Sequence, residues 1–317
     1  MIKNKKILIT GGGGFIGSHL CQALVENNKI TVYDNGRRDA LQYTGLQNHK
    51  NLTFVKDDIL NFENLKKSVK GQDIVLHLAA IAGVSSYYKH PLKTMEVNTI
   101  GAYNALKASA ETGVKLFVNF STSEVYGPFI FNAEEEGQTH QGPATVSRWS
   151  YSVSKLTTDH FSFAFFKEKK LPIISVRPFN IYGPGQIGEG AIQIFAKRAI
   201  DGEDLVVLGD GLQIRAWCYI SDFVEGVLLC LENKNAIGHI FNIGNPAATV
   251  TILELAKKIK NMFDSKSKIV FQENKFTDVR VRVPSIETAK NILGFEPKVD
   301  LEEGLEKAIE WYRSVAV

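Results

Sequence analysis

The sequence predicts an α/β protein built around a doubly wound parallel sheet, with a smaller and more mixed C-terminal region. In the first half of the chain, short apolar segments of strand character alternate with longer segments of helical periodicity. A run of four glycines directly follows the first of these strands, and a cluster of prolines and glycines follows at residues 178–190. Alternation of this kind requires crossover helices, which cover both faces of a parallel sheet.

The element boundaries follow from the same patterns. Strands are predicted over residues 6–10, 30–33, 73–78, 116–120 and 173–176, where the apolar runs are short. Helices are predicted over residues 15–26, 92–112, 151–169, 191–201, 252–263 and 302–314. The cluster at 178–190 predicts a domain boundary: residues 1–176 form the first domain, to which residues 213–240 return, and residues 177–317 form the second.

The composition is that of an ordinary globular protein and excludes several classes. Of 317 residues, 44% are apolar and 22% are charged, and the formal net charge is +3. These values exclude a disordered or collagen-like chain and give no reason to expect nucleic acid as a partner. The three cysteines, Cys21, Cys218 and Cys230, show no metal-ligand spacing, and no segment approaches the ~18 apolar residues of a membrane span. We therefore expect a cytoplasmic protein without a metal site or a membrane partner.

The glycine-rich turn is typical of a Rossmann dinucleotide-binding domain. Gly11, Gly14 and Gly17 have G-x-x-G-x-x-G spacing between the first predicted strand and the helix that begins with Phe15 and Ile16. Because glycine has no side chain, the backbone N–H groups can approach a pyrophosphate closely, and the helix dipole stabilises its charge.

A carboxylate closes the second predicted strand, about 20 residues after the glycine turn, as a dinucleotide-binding domain requires. Asp34 is expected to bind the adenosine ribose, and its charge would repel a 2′-phosphate. It therefore predicts NAD rather than NADP as the cofactor. Arg37 and Arg38 weaken that preference, because an arginine just beyond this strand can accommodate the additional phosphate.

A second group of chemically useful side chains surrounds the helix predicted over 151–169. Tyr151 and Lys155 lie one helical turn apart, and hydroxyl-bearing residues 121–123 directly follow a predicted strand. Because Tyr151 and Lys155 share a helix face, we expect the ammonium group to lower the pKa of the phenol, so that Tyr151 acts as a base at neutral pH.

Together these motifs resemble the extended short-chain dehydrogenase/reductases that act on nucleotide sugars. The resemblance covers nearly the whole chain and rests on segments 11–17, 77–80, 121–127, 151–155, 177–185, 209–211 and 282–284. It implies a Rossmann domain that binds NAD and a C-terminal domain that binds a nucleotide diphosphate sugar. It also implies a homodimer formed through the helices at 92–112 and 151–169.

The resemblance further implies roles for individual residues. Thr122, Tyr151 and Lys155 are the implied catalytic set, in which Tyr151 removes the proton of the sugar C4 hydroxyl while hydride passes to the nicotinamide. Besides the glycine turn and Asp34, the implied cofactor contacts come from Phe15, Ile16, Asn35, Asp58, Ile59, Leu78, Ala79, Ala80, Asn98, Tyr151 and Lys155. The implied substrate contacts come from Arg148, Asn180, Arg215 and Arg282.

Three reactions begin with this oxidation, namely 4-epimerisation, 4,6-dehydration and decarboxylation of a uronate. The Glu124 that follows Thr122-Ser123, the Arg148 three residues before Tyr151, and Arg215-Ala216-Trp217 resemble the UDP-glucuronate decarboxylases. We therefore predict redox-neutral decarboxylation of UDP-glucuronate or an N-acetylated analogue through a 4-keto intermediate. The alternatives are a UDP-sugar 4-epimerase or a 4,6-dehydratase on the same scaffold and, more remotely, a non-enzymatic NAD(H)-sensing protein.

The chemistry of decarboxylation assigns tasks to the remaining polar residues. A C4 ketone turns the C5 carboxylate into a β-keto acid, which loses carbon dioxide once the enolate is stabilised. We expect Ser123 and Glu124 to manage the enolate or reprotonate C5, and Arg148 or Arg215 to orient the carboxylate. Outside the site, residues 134–136 are expected to form a solvated acidic loop, and His77 is expected to be packed beside the cofactor.

Overall fold

The computed structural model describes residues 2–274 and 277–315. Its strands, in chain order, are β1 (Lys6–Thr10), β2 (Lys29–Asp34), β3 (Leu52–Lys56), β4 (Ile74–His77), β5 (Leu116–Phe120), β6 (Phe129–Ala133), β7 (Ile173–Pro178), β8 (Ile181–Tyr182), β9 (Leu205–Leu208), β10 (Ile214–Ala216), β11 (Cys218–Tyr219), β12 (Ile240–Ile243), β13 (Thr249–Thr251), β14 (Ile269–Gln272) and β15 (Val281–Pro284). Its helices are α1 (Phe15–Leu24), α2 (Phe62–Val69), α3 (Val84–Lys89), α4 (Pro91–Met95), α5 (Gly101–Thr112), α6 (Trp149–Lys169), α7 (Ala191–Ile200), α8 (Ile220–Glu232), α9 (Ile252–Met262), α10 (Glu287–Leu293) and α11 (Leu301–Val315). The strands and helices predicted from the sequence are present, with ends that differ by a few residues, except that the helix predicted over 92–112 is divided into α4 and α5.

Seven parallel strands form the central sheet, in the order β12-β7-β5-β4-β1-β2-β3. This order confirms the predicted Rossmann-type, doubly wound sheet. The chain builds outward from β1 to β3 on one side and then crosses back to β4 on the other, so the strand order reverses between β1 and β4. In sheets of this kind, ligands bind outside the carboxyl ends of the strands at the reversal.

Helices cover both faces of this sheet, as the burial of alternate residues of β1 shows. Ile7 and Ile9 belong to the hydrophobic core that contains Leu20 of α1. Leu8, which points to the opposite face, packs in the core that contains Leu65 of α2 and Leu106 of α5. A strand buried on both faces reads as a continuous apolar run, which is why the segment was recognisable in the sequence.

A mixed four-stranded sheet, in the order β13-β10-β15-β6, lies at the centre of the smaller region. β15 is parallel to β10 and β6, whereas β13 is antiparallel to β10. After β11 the chain returns to the main sheet: α8 packs against α1, and β12 pairs with β7. Conversely, β6 lies between β5 and α6 in the chain but belongs to the four-stranded sheet of the smaller region. The domain boundaries at 1–176, 213–240 and 177–317 stay a prediction.

A wider helical turn interrupts the helix predicted over 92–112. A π turn over Glu96–Ile100 connects α4 to α5 and contains Asn98. The Asn98 amide donates to the carbonyl oxygen of Ile81 (3.2 Å) and to Ser154 Oγ (3.0 Å), and its oxygen accepts the N–H of Ile81 (2.7 Å). The π turn therefore ties α6 to the segment that follows β4, next to the site described below.

The acidic loop at 134–136 is not uniformly solvated, and that expectation was wrong. Glu134 and Glu136 are exposed, but Glu135 is buried. One oxygen of Glu135 accepts the backbone N–H of Asn242 on β12 (2.8 Å), and the other accepts the hydroxyl of Thr288 on α10 (2.8 Å). A run of like charges in a sequence does not reveal which member turns inward, because its partners lie more than 100 residues away.

Replacing Glu135 with alanine should destabilise the protein, because the Asn242 N–H then stays buried without a partner. We expect the free energy of unfolding to fall by about 1–3 kcal/mol, measured by urea denaturation followed by circular dichroism. The matched controls Glu134→Ala and Glu136→Ala remove exposed neighbours of the same type and should change it by less than about 0.5 kcal/mol. Equal effects in the three variants would contradict a structural role for Glu135.

Candidate active site

The glycine turn after β1 brings three backbone segments into close contact. Gly11 has a φ of +70°, and a Cβ built on it would lie 2.7 Å from the backbone nitrogen of Ala79, which follows β4. A Cβ on Gly17 would lie 2.6 Å from the carbonyl oxygen of Gly11. Only glycine therefore allows α1 to begin directly above the ends of β1 and β4. At Gly14, no side chain in the described part of the chain caps α1, which leaves its N-terminal N–H groups available to an anion.

A cavity of about 610 Å³ lies at these strand ends. Ten of the predicted cofactor residues line it: Gly11, Gly14, Phe15, Asp34, Asn35, Asp58, Ile59, Leu78, Ala79 and Ala80. A cavity of this size, with an uncapped helix N-terminus and a carboxylate in its wall, fits a dinucleotide. Five predicted cofactor residues do not line it: Ile16, Gly17, Asn98, Tyr151 and Lys155. The first two lie in the first turn of α1, Asn98 is occupied by its contacts with Ile81 and Ser154, and the last two lie on α6.

Asp34 is held at the end of β2 by two backbone N–H groups. The N–H of Gly13 donates to one oxygen (3.0 Å), and the N–H of Gly36 donates to the other (2.8 Å). Burial raises the pKa of Asp34, and these two hydrogen bonds lower it. The carboxylate is thus oriented beside the glycine turn, where the ribose of a dinucleotide would lie.

Arg37 and Arg38 bind protein groups across the mouth of the same cavity. Arg37 donates to the hydroxyl of Ser86 (3.2 Å), and Arg38 donates to the carbonyl oxygen of Ala82 (3.3 Å). Both arginines therefore connect the loop after β2 with the segment after β4. In this arrangement one terminal nitrogen of each arginine is directed to the protein, while both side chains also line the cavity.

The residues expected to be catalytic meet where β5 ends and α6 begins. Thr122, Ser123 and Glu124 enter a 3-10 turn over Ser123–Tyr126, directly after β5. Tyr151 and Lys155 lie in the first two turns of α6. Tyr151 forms a hydrogen bond with Thr122.

The pKa values of Tyr151 and Lys155 differ from our expectation. Burial raises the pKa of Tyr151 to about 12, with a further increase from the charge of Glu124. Burial also lowers the pKa of Lys155 to about 8, and its Nζ donates to the carbonyl oxygen of Phe120 (2.7 Å). The predicted lowering of the Tyr151 pKa by Lys155 was wrong, because helix spacing does not report burial, and burial dominates here.

The partly buried carboxylate of Glu124, whose side chain is 15% exposed, holds two of the arginines that were expected to bind substrate. Both terminal nitrogens of Arg148 donate to the carboxylate of Glu124, one of them at 3.0 Å, and Arg282 Nη1 donates to the same group at 3.3 Å. Burial would raise the pKa of Glu124, but Arg282 and Arg148 hold it at about 2. Glu124 is therefore ionised at neutral pH. Arg282 is only 5% exposed, and its Nε and Nη2 have no hydrogen-bond partner among the described residues.

The other two predicted substrate residues are placed differently. Arg215 lies opposite Arg282 in the register of β10 and β15, and it donates to the carbonyl oxygen of Val279 (2.6 Å). Burial, and then the charge of Arg282, lower the pKa of Arg215 to about 10, so it belongs to the same positive cluster. The amide of Asn180 donates to the carbonyl oxygen of Ala216 (2.7 Å) and fixes the end of β10.

Two features of the site carried no signal in the sequence. Tyr87 of α3 stacks on Tyr151, with ring centroids 5.6 Å apart and planes 16° from parallel, and the Arg148 guanidinium lies 5.3 Å from the Tyr87 ring centroid. Ser85 donates its N–H (2.8 Å) and its hydroxyl (2.7 Å) to Glu189. The segment after β4 therefore covers the Tyr151 phenol and is bound to the loop after β8. Neither contact is encoded in local spacing.

Other expectations concern single residues and absent features. His77 is fully buried, where burial lowers its pKa to about 3, and its Nδ1 lies 2.8 Å from Thr10 Oγ1. The described residues contain no group of three or more His, Cys, Asp or Glu side chains able to hold a metal ion. Within residues 2–274 and 277–315, no helix combines the length and apolar character that crossing a membrane requires.

Known proteins resemble this chain over nearly its whole length. The model of the NAD dependent epimerase/dehydratase family matches residues 7–244. The chain is 35% identical over 325 residues to a UDP-N-acetyl-alpha-D-glucosaminuronate decarboxylase of Bacillus cytotoxicus, covering 98% of each chain. It is 38% identical over 316 residues to UDP-glucuronic acid decarboxylase 1 of Danio rerio, covering 97% of this chain and 72% of that one. The solved UDP-glucuronic acid 4-epimerase of Bacillus cereus, in complex with UDP-glucuronic acid and NAD, aligns with a TM-score of 0.90 at 31% identity, over 98% of this chain and 99% of that one.

The family match extends from the first strand of the central sheet through β12 and includes the glycine turn, the β5 end and α6. The chain therefore belongs to the NAD dependent epimerase/dehydratase family, the extended short-chain dehydrogenase/reductases, and is an enzyme that acts on nucleotide sugars.

Proposed function

We propose that this enzyme catalyses the NAD-dependent, redox-neutral decarboxylation of a nucleotide-linked hexuronate, UDP-glucuronate or an N-acetylated analogue, through a 4-keto intermediate. The observation that carries the proposal is the buried arginine cluster beside Tyr151, in which two nitrogens of Arg282 have no partner among the described residues. Buried, unpaired cationic donors are costly unless an anion binds them. A uronate supplies that anion, and a neutral hexose does not. Relatives at 35% and 38% identity that are named uronate decarboxylases support the choice.

The relative position of the cluster and Tyr151 matches the substrate. In a hexuronate, the C4 hydroxyl and the carboxylate are attached to neighbouring ring carbons, so the groups that bind them must also be neighbours. Arg282 and Arg148 both lie close enough to Tyr151 to lower the pKa of its phenol. A sugar whose C4 hydroxyl contacts Tyr151 can therefore direct its carboxylate to Arg282.

NAD is the cofactor that we propose for the cavity at the β1 and β4 ends. The glycine turn and the N-terminus of α1 would hold its pyrophosphate, and Asp34 its adenosine ribose. When bound, NAD supplies the reversible oxidation and reduction of sugar carbon C4.

The phenol of Tyr151 exchanges a proton with the C4 hydroxyl. Because burial raises its pKa to about 12, it ionises only with help from the hydrogen bond with Thr122 and from the arginine charges. Lys155, whose pKa is lowered to about 8, is protonated below that pH and adds positive charge one helical turn away.

Carbon dioxide leaves from the β-keto acid, and the electron pair of the broken C–C bond passes through C5 to the C4 oxygen, where the hydroxyl groups of Tyr151 and Thr122 stabilise the enolate. Of the two side chains expected to reprotonate C5, only Ser123 carries a proton at neutral pH, because the pKa of Glu124 is held at about 2. Glu124 then has a different task from the one expected: it fixes Arg148 and Arg282 in place.

A second candidate is 4-epimerisation of the same kind of uronate. The structurally similar protein of Bacillus cereus is a UDP-glucuronic acid 4-epimerase, solved in complex with UDP-glucuronic acid and NAD. Epimerisation that begins with the same oxidation of C4 would keep the carboxylate. A 4,6-dehydratase is a weaker alternative, because its substrate has no carboxylate for the arginine cluster to bind.

Product mass separates the three reactions. We expect the purified enzyme, given NAD and either UDP-glucuronate or UDP-N-acetylglucosaminuronate, to form a product lighter by about 44 mass units, the mass of carbon dioxide. Tyr151→Phe should reduce this turnover by about 10²–10⁴-fold, as loss of a general base does, while the fold is retained. An unchanged mass with a new NMR spectrum would instead establish the epimerase, and a loss of about 18 the dehydratase.

Arg282 tests the carboxylate assignment directly. Arg282→Gln should raise KM for the hexuronate by about 10- to 100-fold, the effect of losing a charge-assisted hydrogen bond, in steady-state assays at saturating NAD. Arg313→Gln is the control, because Arg313 is an exposed arginine of α11 remote from the site in sequence. A KM that is equal in Arg282→Gln and the unmodified enzyme would refute the assignment.

We also propose that the enzyme is a homodimer and is cytoplasmic. Leu92 and Ile100 are 73% and 51% exposed on the stretch from α4 to α5, and Tyr103 of the same stretch contacts Phe161 and Phe165 of α6. Exposed apolar residues next to paired helices are typical of a helical dimer interface. Buried free thiols at all three cysteines fit a reducing compartment.

Ile100→Glu should convert the dimer into a monomer, because it places a charge in the centre of the proposed helical interface. Light scattering at micromolar concentration measures the mass. Phe131→Glu is the control, since Phe131 is similarly exposed but lies on β6, and it should leave the dimer intact. A monomeric unmodified protein would contradict the proposal.

A further inference from the structure

The buried carboxylate of Asp159 lies behind the active site and is the centre of a hydrogen-bond network. It is on α6, one turn after Lys155, and is 4% exposed. It accepts hydrogen bonds from side chains of β5, β7 and the residue that follows β5: Asn119 Nδ2 (3.0 Å), Ser121 Oγ (2.8 Å), Ser175 Oγ (2.6 Å) and Arg177 Nε (3.1 Å). A carboxylate bound by donors from several elements is fixed in position and fixes those elements in turn.

The hydrogen bond between Ser121 and Asp159 affects the positions of the partners of both Lys155 and Tyr151. Ser121 lies between Phe120, whose carbonyl oxygen accepts the hydrogen bond from Lys155, and Thr122, which is hydrogen-bonded to Tyr151. The backbone that carries both partners is therefore attached to α6 through Asp159. A shift of Ser121 would move the acceptor of Lys155 and the hydroxyl beside Tyr151 together.

The charges around Lys155 identify Asp159 as its counter-ion. His77 of β4 is neutral, since burial holds its pKa at about 3, and Tyr151 of α6 is a neutral phenol with a pKa of about 12. Glu124 is anionic, but Arg148 and Arg282 bind it.

On β7, Arg177 is a cation that shares the carboxylate of Asp159 (3.1 Å). Asp159 is thus the anion whose field favours the ammonium form of Lys155, while burial opposes that form.

We propose that Asp159 is a positioning residue of this active site, which serves as the counter-ion of buried Lys155 and fixes the end of β5 that carries the partners of Lys155 and Tyr151. The proposal rests on the roles proposed above for Lys155 and Tyr151. Asp159 touches neither substrate nor cofactor and acts through these two residues. Its loss should therefore change the pH dependence of turnover more than the binding of substrate.

The direct test is the titration of Lys155 in the full-length protein. Lysine labelled at Cε and Nζ is followed by NMR, and the Lys155 signal is assigned by its absence from Lys155→Met. In Asp159→Asn the midpoint should fall below the parent value by about one pH unit or more, as expected when an opposite charge nearby is removed. Asp222→Asn is the matched control, because Asp222 is also buried but accepts the N–H groups of Lys298 and Val299, and it should leave the midpoint unchanged.

The pH profile of kcat supplies a second readout. In Asp159→Asn the basic limb should move to lower pH by the same amount as the Lys155 midpoint, with KM changed less than twofold, so that activity relative to the parent recovers as the pH falls. A role limited to stability predicts a loss of activity that is the same at every pH. That outcome, or an unchanged Lys155 midpoint, would overturn the proposal.

A second variant, expected to shift the Lys155 midpoint in the opposite direction, tests the proposal if Asp159→Asn fails to fold. Arg177→Gln keeps the carboxylate and removes the cation that shares it, so the midpoint of Lys155 should rise. An unchanged or lowered midpoint in Arg177→Gln would overturn the counter-ion role. If no nucleotide sugar is turned over, the proposed function fails, whereas the NMR midpoints still decide the role of Asp159.

Discussion

The pairing of buried charges at the carboxyl edge of the central sheet is the constraint on which the rest of the site depends. The charged side chains there are largely removed from water, since Arg148, Asp159, Arg177 and Arg282 are each at most 5% exposed. An unpaired ion would therefore be strongly destabilising. Two carboxylates are paired with arginines in this region: Glu124 is bound by Arg148 and Arg282, and Asp159 is bound by Arg177. Because the partners come from separate elements, the contacts that satisfy the charges also set how the two regions pack and where Tyr151 lies.

The parts of the molecule that could be predicted from the sequence are those in which local pattern determines structure. A parallel strand buried on both faces is a continuous apolar run, and the turn after β1 accepts only glycine at Gly11 and Gly17. The glycine turn and Thr122 each follow closely after a short apolar run, and in the structure both lie at the carboxyl edge of the sheet. The Y-x-x-x-K spacing of Tyr151 and Lys155 likewise places both on one face of a helix, whatever surrounds it.

The parts that escaped prediction depend on contacts between distant segments. Glu135 looked like one of three solvated glutamates, yet its partner Asn242 lies 107 residues away. Tyr87 stacks on Tyr151 from a segment without periodicity. The pKa of Tyr151 was misjudged for the same reason, since helix spacing shows that Lys155 is near but does not show how far the phenol and the ammonium group are removed from water. The spacing of Asp159, four residues after Lys155, places the two side chains on one face of α6. The spacing does not show that Arg177 of β7 shares the carboxylate.

The two charge clusters differ in one respect that bears on the reaction. Asp159 is surrounded by donors from β5 and β7 and has a fixed structural environment, whereas Arg282 keeps nitrogens without a partner among the described residues. In the proposed reaction, the substrate carboxylate relieves the desolvation cost of those nitrogens, so binding favours a uronate over a neutral sugar. Loss of carbon dioxide removes that anion from the sugar. The product therefore leaves the same donors unpaired again, which weakens its binding relative to the substrate and favours its release from a site that otherwise keeps its geometry.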